Sequence, residues 1–210
     1  MILRDRARPA DLAAIADLFQ EAFPEALLAV FGKPRLPSRA VSDLLAGIFA
    51  VDPGGFFVAR QEGRVTGFIV VTAHLGRLYR RLILGGTLWT MAWRWISGRY
   101  AGLGPGFVPR LAGLLWDYRE VEKQLGAQDA DTSQIISIVV DPGVRRQGVG
   151  RELTETALQY LRESRARVVR LEVDAAKEGP IALYRSFGFR EVARLPTPRG
   201  PALVMTLLLK

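Results

Sequence analysis

The chain has no cysteine, one histidine and no long uninterrupted apolar run. Without cysteine there is no disulfide framework, no thiolate zinc site and no cysteine nucleophile. A lone histidine, His74, leaves no His-rich metal set, and no metal is expected. The longest apolar stretch, residues 82–93, is too short to cross a bilayer and runs into Arg94. The opening "MILRDRARPADL" is charged and lacks an apolar core segment, so no secretory signal is expected and the chain reads as cytoplasmic. Acidic residues are also in deficit. Lys and Arg number 29 against 21 Asp and Glu, for a net charge of +8. That excess favours polyanionic partners, but the arginines are scattered rather than gathered in one run.

What is present is a foldable core. Of the 210 residues, 49% are hydrophobic, enough for one ordinary domain. A short strand is expected at 2–6. Pro9 suits the first turn of a helix whose apolar face is Leu12, Ile15, Phe19 and Phe23. A second helix is expected over 38–49 with Ser38 as its cap. The segment "FFVARQEGRVTGFIVVT" reads as a hairpin turning at Glu62-Gly63. Residues 74–130 break the rhythm and hold all four tryptophans: Trp89, Trp93, Trp95 and Trp116. Strand 134–140, helix 148–164, strand 168–173, helix 180–187 and strands near 189–195 and 201–209 then follow. This order predicts a single α/β domain with a mixed sheet over 1–210, carrying one insertion at about 74–130.

The chemistry concentrates in "VVDPGVRRQGVGRELTETALQYL", Val139 to Leu161. A β-branched run passes through Asp-Pro-Gly and two arginines into Gly-Val-Gly, then into a helical pattern. A helix N-terminus exposes unpaired N–H groups and a partial positive charge, so an anion can settle there. Bare backbone at Gly148 and Gly150, with Arg145, Arg146 and Arg151 around it, suits a diphosphate. The turn is not a P-loop, because Val149 and Gly150 stand where Lys and Ser/Thr are needed. It is not a dinucleotide fingerprint either, because Leu153 replaces the third glycine. An ordinary glycine-bearing strand-to-helix turn stays open beside the phosphate cradle.

The fuller pattern V-D-P-x-x-R-R-Q-G-V-G-R resembles the acyl-CoA motif of the GNAT superfamily of N-acetyltransferases. Downstream, "LEVDAAKEGPIALYRSFGFRE" resembles the closing block of that family, and "RPADLAAIADLFQEAF" its first helix. The motifs "LEV" and "IALYxSxGF" are nearest to the branch that acetylates the N-terminal alanine of a ribosomal protein. The resemblance implies the GNAT fold, a mixed sheet flanked by helices, with the insertion between the third and fourth strands. It implies acetyl-CoA as co-substrate and direct attack by a primary amine. The pantetheine arm would run along Ile138, Val139 and Val140, and the diphosphate would rest on the amides of Arg146, Gln147, Gly148, Val149, Gly150 and Arg151. A backbone N–H near Val139 or Val140 would serve the oxyanion. Tyr184 falls where the family places the general acid for the CoA sulfur, and Glu172 where that branch places its base; His74 and Glu21 are reserves. The family often has Asn seven positions before the tyrosine; here Lys177 stands there.

The acceptor stays open among a small amine, an amino acid and a peptide N-terminus. A non-catalytic acyl-CoA sensor is the rival reading. Three roles stay open for the insertion: a lid over the acceptor pocket, a homodimer contact, or contact with a membrane surface. No nucleic-acid partner is expected, because no nucleic-acid motif accompanies the charge.

Overall fold

The computed structural model describes residues 2–100, 106, 132–197 and 200–209. A sheet of seven strands forms the middle layer: β1 (Ile2–Arg6), β2 (Phe56–Gln61), β3 (Arg64–Thr72), β4 (Ser133–Val140), β5 (Val168–Asp174), β6 (Arg190–Thr197) and β7 (Gly200–Leu208). The strand order is β1-β2-β3-β4-β5-β7-β6. Every neighbouring pair is antiparallel except β4 and β5, which are parallel.

Strand alternation decides the two cores, because successive side chains point to opposite faces. On one face Phe56, Val58, Phe68 and Val70 meet helices α1 (Leu12–Ala22) and α3 (Ser38–Val51) through Ile15, Ala16, Val41 and Leu45. Between these helices lies α2 (Pro24–Phe31), opened by proline and closed by Gly32 at φ 71°. On the other face Phe57, Ala59, Ile69 and Val71 join the cluster of Leu153, Ala157, Leu158 and Leu161. Those leucines belong to α6 (Val149–Glu163), and α7 (Glu178–Ser186) packs on the same side through Ile181 and Tyr184.

The insertion does enter between the third and fourth strands. Its described part forms α4 (Leu75–Leu84) and α5 (Thr87–Ile96). Leu75, Leu78 and Leu82 of α4 pack beside Ile48 and Val51 of α3. Arg94 of α5 ion-pairs with Asp43 of α3, and the Tyr100 hydroxyl donates to the same carboxylate at 2.5 Å. Most of the second half of the insertion, Trp116 included, lies outside the described residues.

Two expectations change. Helix α2 is an extra element after Phe23. Ser38 does not cap α3: Pro37 occupies the N-cap position, and the Ser38 hydroxyl donates to Asp17 at 3.1 Å instead.

The start of α1 is pinned to β2. The carboxylate of Asp11 accepts the Arg60 guanidinium at 2.6 Å and the Arg8 amide at 2.7 Å. Burial pushes the carboxyl up, but these two donors outweigh it and hold it below its ordinary value. A carboxylate with a depressed folded pKa contributes stability that is complete above its unfolded value and is lost as pH falls through the folded one. Asp11→Ala is therefore expected to cost about 2–3 kcal/mol at neutral pH. In urea titrations the gap between parent and variant should close under acid, below about pH 4.

Candidate active site

β4 and β5 pair over two positions only, Ser133 with Val169 and Gln134 with Arg170. Beyond them the strands diverge. Along β3 the register steps from Val70 opposite Ser137 to Val71 opposite Ile135, so Ile136 is a bulge residue. A bulge bends its strand, and this one lies where β4 leaves β5.

The divergence leaves backbone groups facing each other across a gap. Asp141 donates to the Thr66 carbonyl at 2.8 Å. In an antiparallel ladder alternate residues bond the same neighbour. Ser137 and Val139 thus pair with β3, while the N–H and C=O of Ile138 and Val140 turn toward the gap. On β5, Ala175 donates to Pro201 of the neighbouring strand at 3.0 Å. The same alternation turns the backbone of Glu172 and the N–H of Asp174 to the gap; the Asp174 carbonyl accepts the Lys177 amide at 3.0 Å. Of the two oxyanion donors expected, Val140 has the required direction and Val139 does not; Ile138 shares the direction of Val140.

A cleft of ≈ 800 Å³ occupies this gap. Its walls include Ile138, Val139, Val140, Arg145, Arg146, Gly148, Val149, Gly150, Arg151, Glu172 and Tyr184. Gln147 does not line it; its side-chain amide turns back to the Gly143 carbonyl at 3.5 Å. His74 and Glu21 do not line it either, nor does any described residue of the insertion, so α4 and α5 are not a lid over this cleft.

The turn at the cleft's end is built by local chemistry. Asp141 accepts the Gly143 amide at 2.8 Å and starts a 3-10 turn over Pro142–Val144. Arg146 and Gly148 follow in the left-handed region, at φ 62° and 85°. Gly148 is the N-cap of α6, and no side chain caps the helix, so its opening amides are left to another acceptor. The Arg145 guanidinium donates to the Val140 carbonyl at 3.0 Å, tying the turn to β4. Arg151 donates to Ser186 at 2.9 Å and lies 5.1 Å from the Phe187 ring, tying it to the end of α7. The two glycines differ. A Cβ on Gly148 would meet nothing within 4 Å, and its demand is conformational. A Cβ on Gly150 would sit in ordinary contact with Leu183 and Val140.

Tyr184 is buried from α7, with its ring 5.8 Å from that of Phe189. Burial pushes its hydroxyl up to about 12, so it stays protonated throughout the neutral range. Glu172 lies 3.4 Å from the guanidinium of Arg170, two residues earlier on the same strand face. Other wall residues escaped the sequence reading: Phe19, Ala22 and Phe23 at the end of α1, Ser137 of β4, and Asp174. The Lys177 ammonium sits 5.4 Å from the Phe23 ring, joining the loop after β5 to α1. Asp174 alone had a signal, because in "LEVD" it shares a strand face with Glu172.

A splayed parallel pair, a helix opening bare at its mouth and a buried tyrosine on the wall define a class of cleft: one shaped for an elongated ligand with an anionic end. The particular family follows from comparison. Residues 12–189 match the Acetyltransferase (GNAT) family, and the chain belongs to it. A stretch of 83 residues is 37% identical to the [ribosomal protein bS18]-alanine N-acetyltransferase of Escherichia coli, covering 37% of this chain and 56% of that protein. Mycothiol acetyltransferase of Acidothermus cellulolyticus is 28% identical over 139 residues, 66% of this chain and 31% of that enzyme. The chain thus spans about half or less of the length of these curated relatives. The fold is shared with Ard1 from Thermoplasma volcanium, at a TM-score of 0.63 and 19% identity, covering 100% and 98% of the two chains. It is shared also with yncA from Salmonella typhimurium, solved with its cofactor acetyl-CoA, at 0.61 and 18%, covering 100% and 94%.

Gly148→Val is expected to lower stability by about 1–2 kcal/mol, the cost of a left-handed non-glycine residue. Gly150→Ala should leave it nearly unchanged. Thermal melts of the two variants beside the parent check the contrast.

Proposed function

We propose that the chain is an acetyl-CoA-dependent N-acetyltransferase acting on a primary amine by direct attack. The observation that carries this is the gap between β4 and β5, with the uncapped start of α6 at one end and Tyr184 on its wall. The residues present fit the co-substrate. Amides of Arg146, Gln147, Gly148, Val149, Gly150 and Arg151 offer donors to a diphosphate. The N–H and C=O of Ile138 and the N–H of Val140 offer a half-ladder to the amide-bearing pantetheine arm, while the Val140 carbonyl is held by Arg145. Acetyl-CoA supplies the thioester carbonyl, and the chain supplies the rest.

Charge that develops on the carbonyl oxygen needs a fixed donor, and the N–H of Val140 or Ile138 is aimed into the gap. Tyr184 keeps its proton in the neutral range and donates it to the departing sulfur. Glu172 takes the proton of the amine, with Arg170 holding the carboxylate in place. The acceptor class stays a small amine, an amino acid or a peptide N-terminus. With the described insertion away from the cleft, the ribosomal-protein relative supports the peptide member of that set.

Thiol release from acetyl-CoA, followed over a panel of amines, amino acids and peptides, tests the proposal. Tyr184→Phe should lower kcat by about 10²–10⁴ while CoA affinity is kept. Glu172→Gln should lower it by about 10² or more. Tight CoA binding with no turnover on any acceptor, and no change in either variant, would make the chain an acyl-CoA sensor instead. Because burial disfavours the phenolate, the rate should show no loss from Tyr184 ionisation until pH approaches about 12.

A further inference from the structure

The α4–α5 hairpin puts no residue on the walls of the cleft, and its outer surface has an unusual composition. Among the described residues, seven large hydrophobic side chains lie exposed, and four of them are here: Leu84 at 76%, Trp89 at 75%, Trp93 at 66% and Ile96 at 69%. Trp89, Trp93 and Ile96 follow at i, i+4 and i+7, one stripe along α5. The opposite side of the hairpin is used internally. Leu75, Leu78, Leu82 and Met91 are buried, and Leu88 and Trp95 pack against the first core. The outward stripe is thus left over after the fold has taken what it needs.

Charge narrows the partner. From residue 75 to residue 100 there are five arginines and no aspartate or glutamate. Arg94 is neutralised by Asp43, but Arg77, Arg80, Arg81 and Arg99 are exposed. Arg77, Arg80, Arg81 and Leu84 recur at helical spacing on α4, so basic and apolar groups share the outer surface.

We infer that the α4–α5 hairpin docks on the surface of an anionic phospholipid bilayer, with Trp89, Trp93 and Ile96 entering the headgroup boundary and the arginines meeting lipid phosphates. Indole rings favour that boundary, and arginine stems lie along apolar surface while their heads reach charge. The hairpin lies on the membrane rather than through it: each helix has 10 residues, and no described helix is long and apolar enough to cross. A second copy of the chain fits less well, because a twofold contact would set these arginines against each other with no carboxylate in the hairpin to pair them. A nucleic acid would meet the arginines but leaves the Trp89–Trp93–Ile96 stripe unused. The inference does not depend on the acetyl-transfer proposal.

The test is sedimentation of the full chain with vesicles of phosphatidylcholine alone and of phosphatidylcholine mixed with phosphatidylglycerol. The chain should pellet with the mixed vesicles and scarcely with the neutral ones, with a blue shift in tryptophan emission. W89S/W93S, and separately R80E/R81E, should each weaken partitioning by about tenfold. Acetyl transfer without vesicles, or CoA binding if no transfer occurs, should stay at the parent level in both and shows that they fold. Absence of pelleting overturns the inference. So does pelleting that W89S/W93S leaves intact, a dimer that W89S/W93S dissolves without vesicle binding, or retention of RNA in place of vesicles.

Discussion

The structure turns on a parallel contact that stops early. Two residue pairs hold β4 to β5, and then the sheet opens along its middle. Elsewhere β3 keeps β4 paired to its end, and β7 keeps β5 paired throughout. Beyond that contact each half presents an unpaired inner edge, β4 on one and β5 on the other, and these two edges face each other. Backbone donors and acceptors on such edges need partners. A ligand that is itself a chain of amides is the natural complement, because it can occupy the position a strand would have taken. The bulge at Ile136 gives β4 a bend, and cores on both faces keep the gap from closing.

The positive end of the gap is prepared rather than merely charged. Arg145 and Arg151 are engaged with Val140 and with Ser186, so they brace the turn while adding charge. The amides do the geometrical part. Two left-handed residues, Arg146 and Gly148, turn the chain back so that α6 opens toward the cleft. Glycine relieves that strain at one of these positions only. A non-glycine residue held at φ 62° carries a backbone cost that the neighbouring bonds must offset.

Much of this was legible in the sequence. The apolar runs "FFVA" and "GFIVV" read as the two strands of a hairpin, and the Asp-Pro turn with its glycines announced the start of α6; that the same runs divide residue by residue between two cores appears only in the structure. Tyr184 and Glu172 were reached through motif resemblance, and both line the cleft. The failures have physical causes. Helix α2 is only eight residues long, too short to show a period beside α1. Ser38 had the right chemistry for a cap, but Pro37 takes the N-cap position and places Ser38 inside the first turn, where its hydroxyl donates to Asp17 instead. The bulge at Ile136 leaves no mark, because it is decided by pairing with β3 and not by local preference. The Lys177–Phe23 contact joins residues far apart in the chain, and no local pattern forecasts such a meeting. The insertion was expected near the acceptor because it follows the third strand; packing on α3 draws its described part away instead.

The sheet also divides the proposed chemistry between its faces. Val169, Leu171 and Val173 of β5 belong to the core shared with α6 and α7, so Arg170, Glu172 and Asp174 project to the side of α1. Tyr184 comes from the opposite side, with the start of α6. The proposed acid, Tyr184, and the proposed base, Glu172, thus stand on different faces of one sheet, and the gap is the passage between them. Under the proposed function, an amine would approach the carbonyl from the α1 side while the cofactor arm filled the other, with both partners bound at once. On the α1 side the wall carries two carboxylates, Glu172 and Asp174, beside Lys177, and Glu172 is ion-paired with Arg170, which does not itself line the cleft, so this side is close to neutral in sum. Recognition of the acceptor then rests less on net charge than on the shape set by Phe19, Ala22 and Phe23, and on how the Lys177–Phe23 contact spaces α1 from β5.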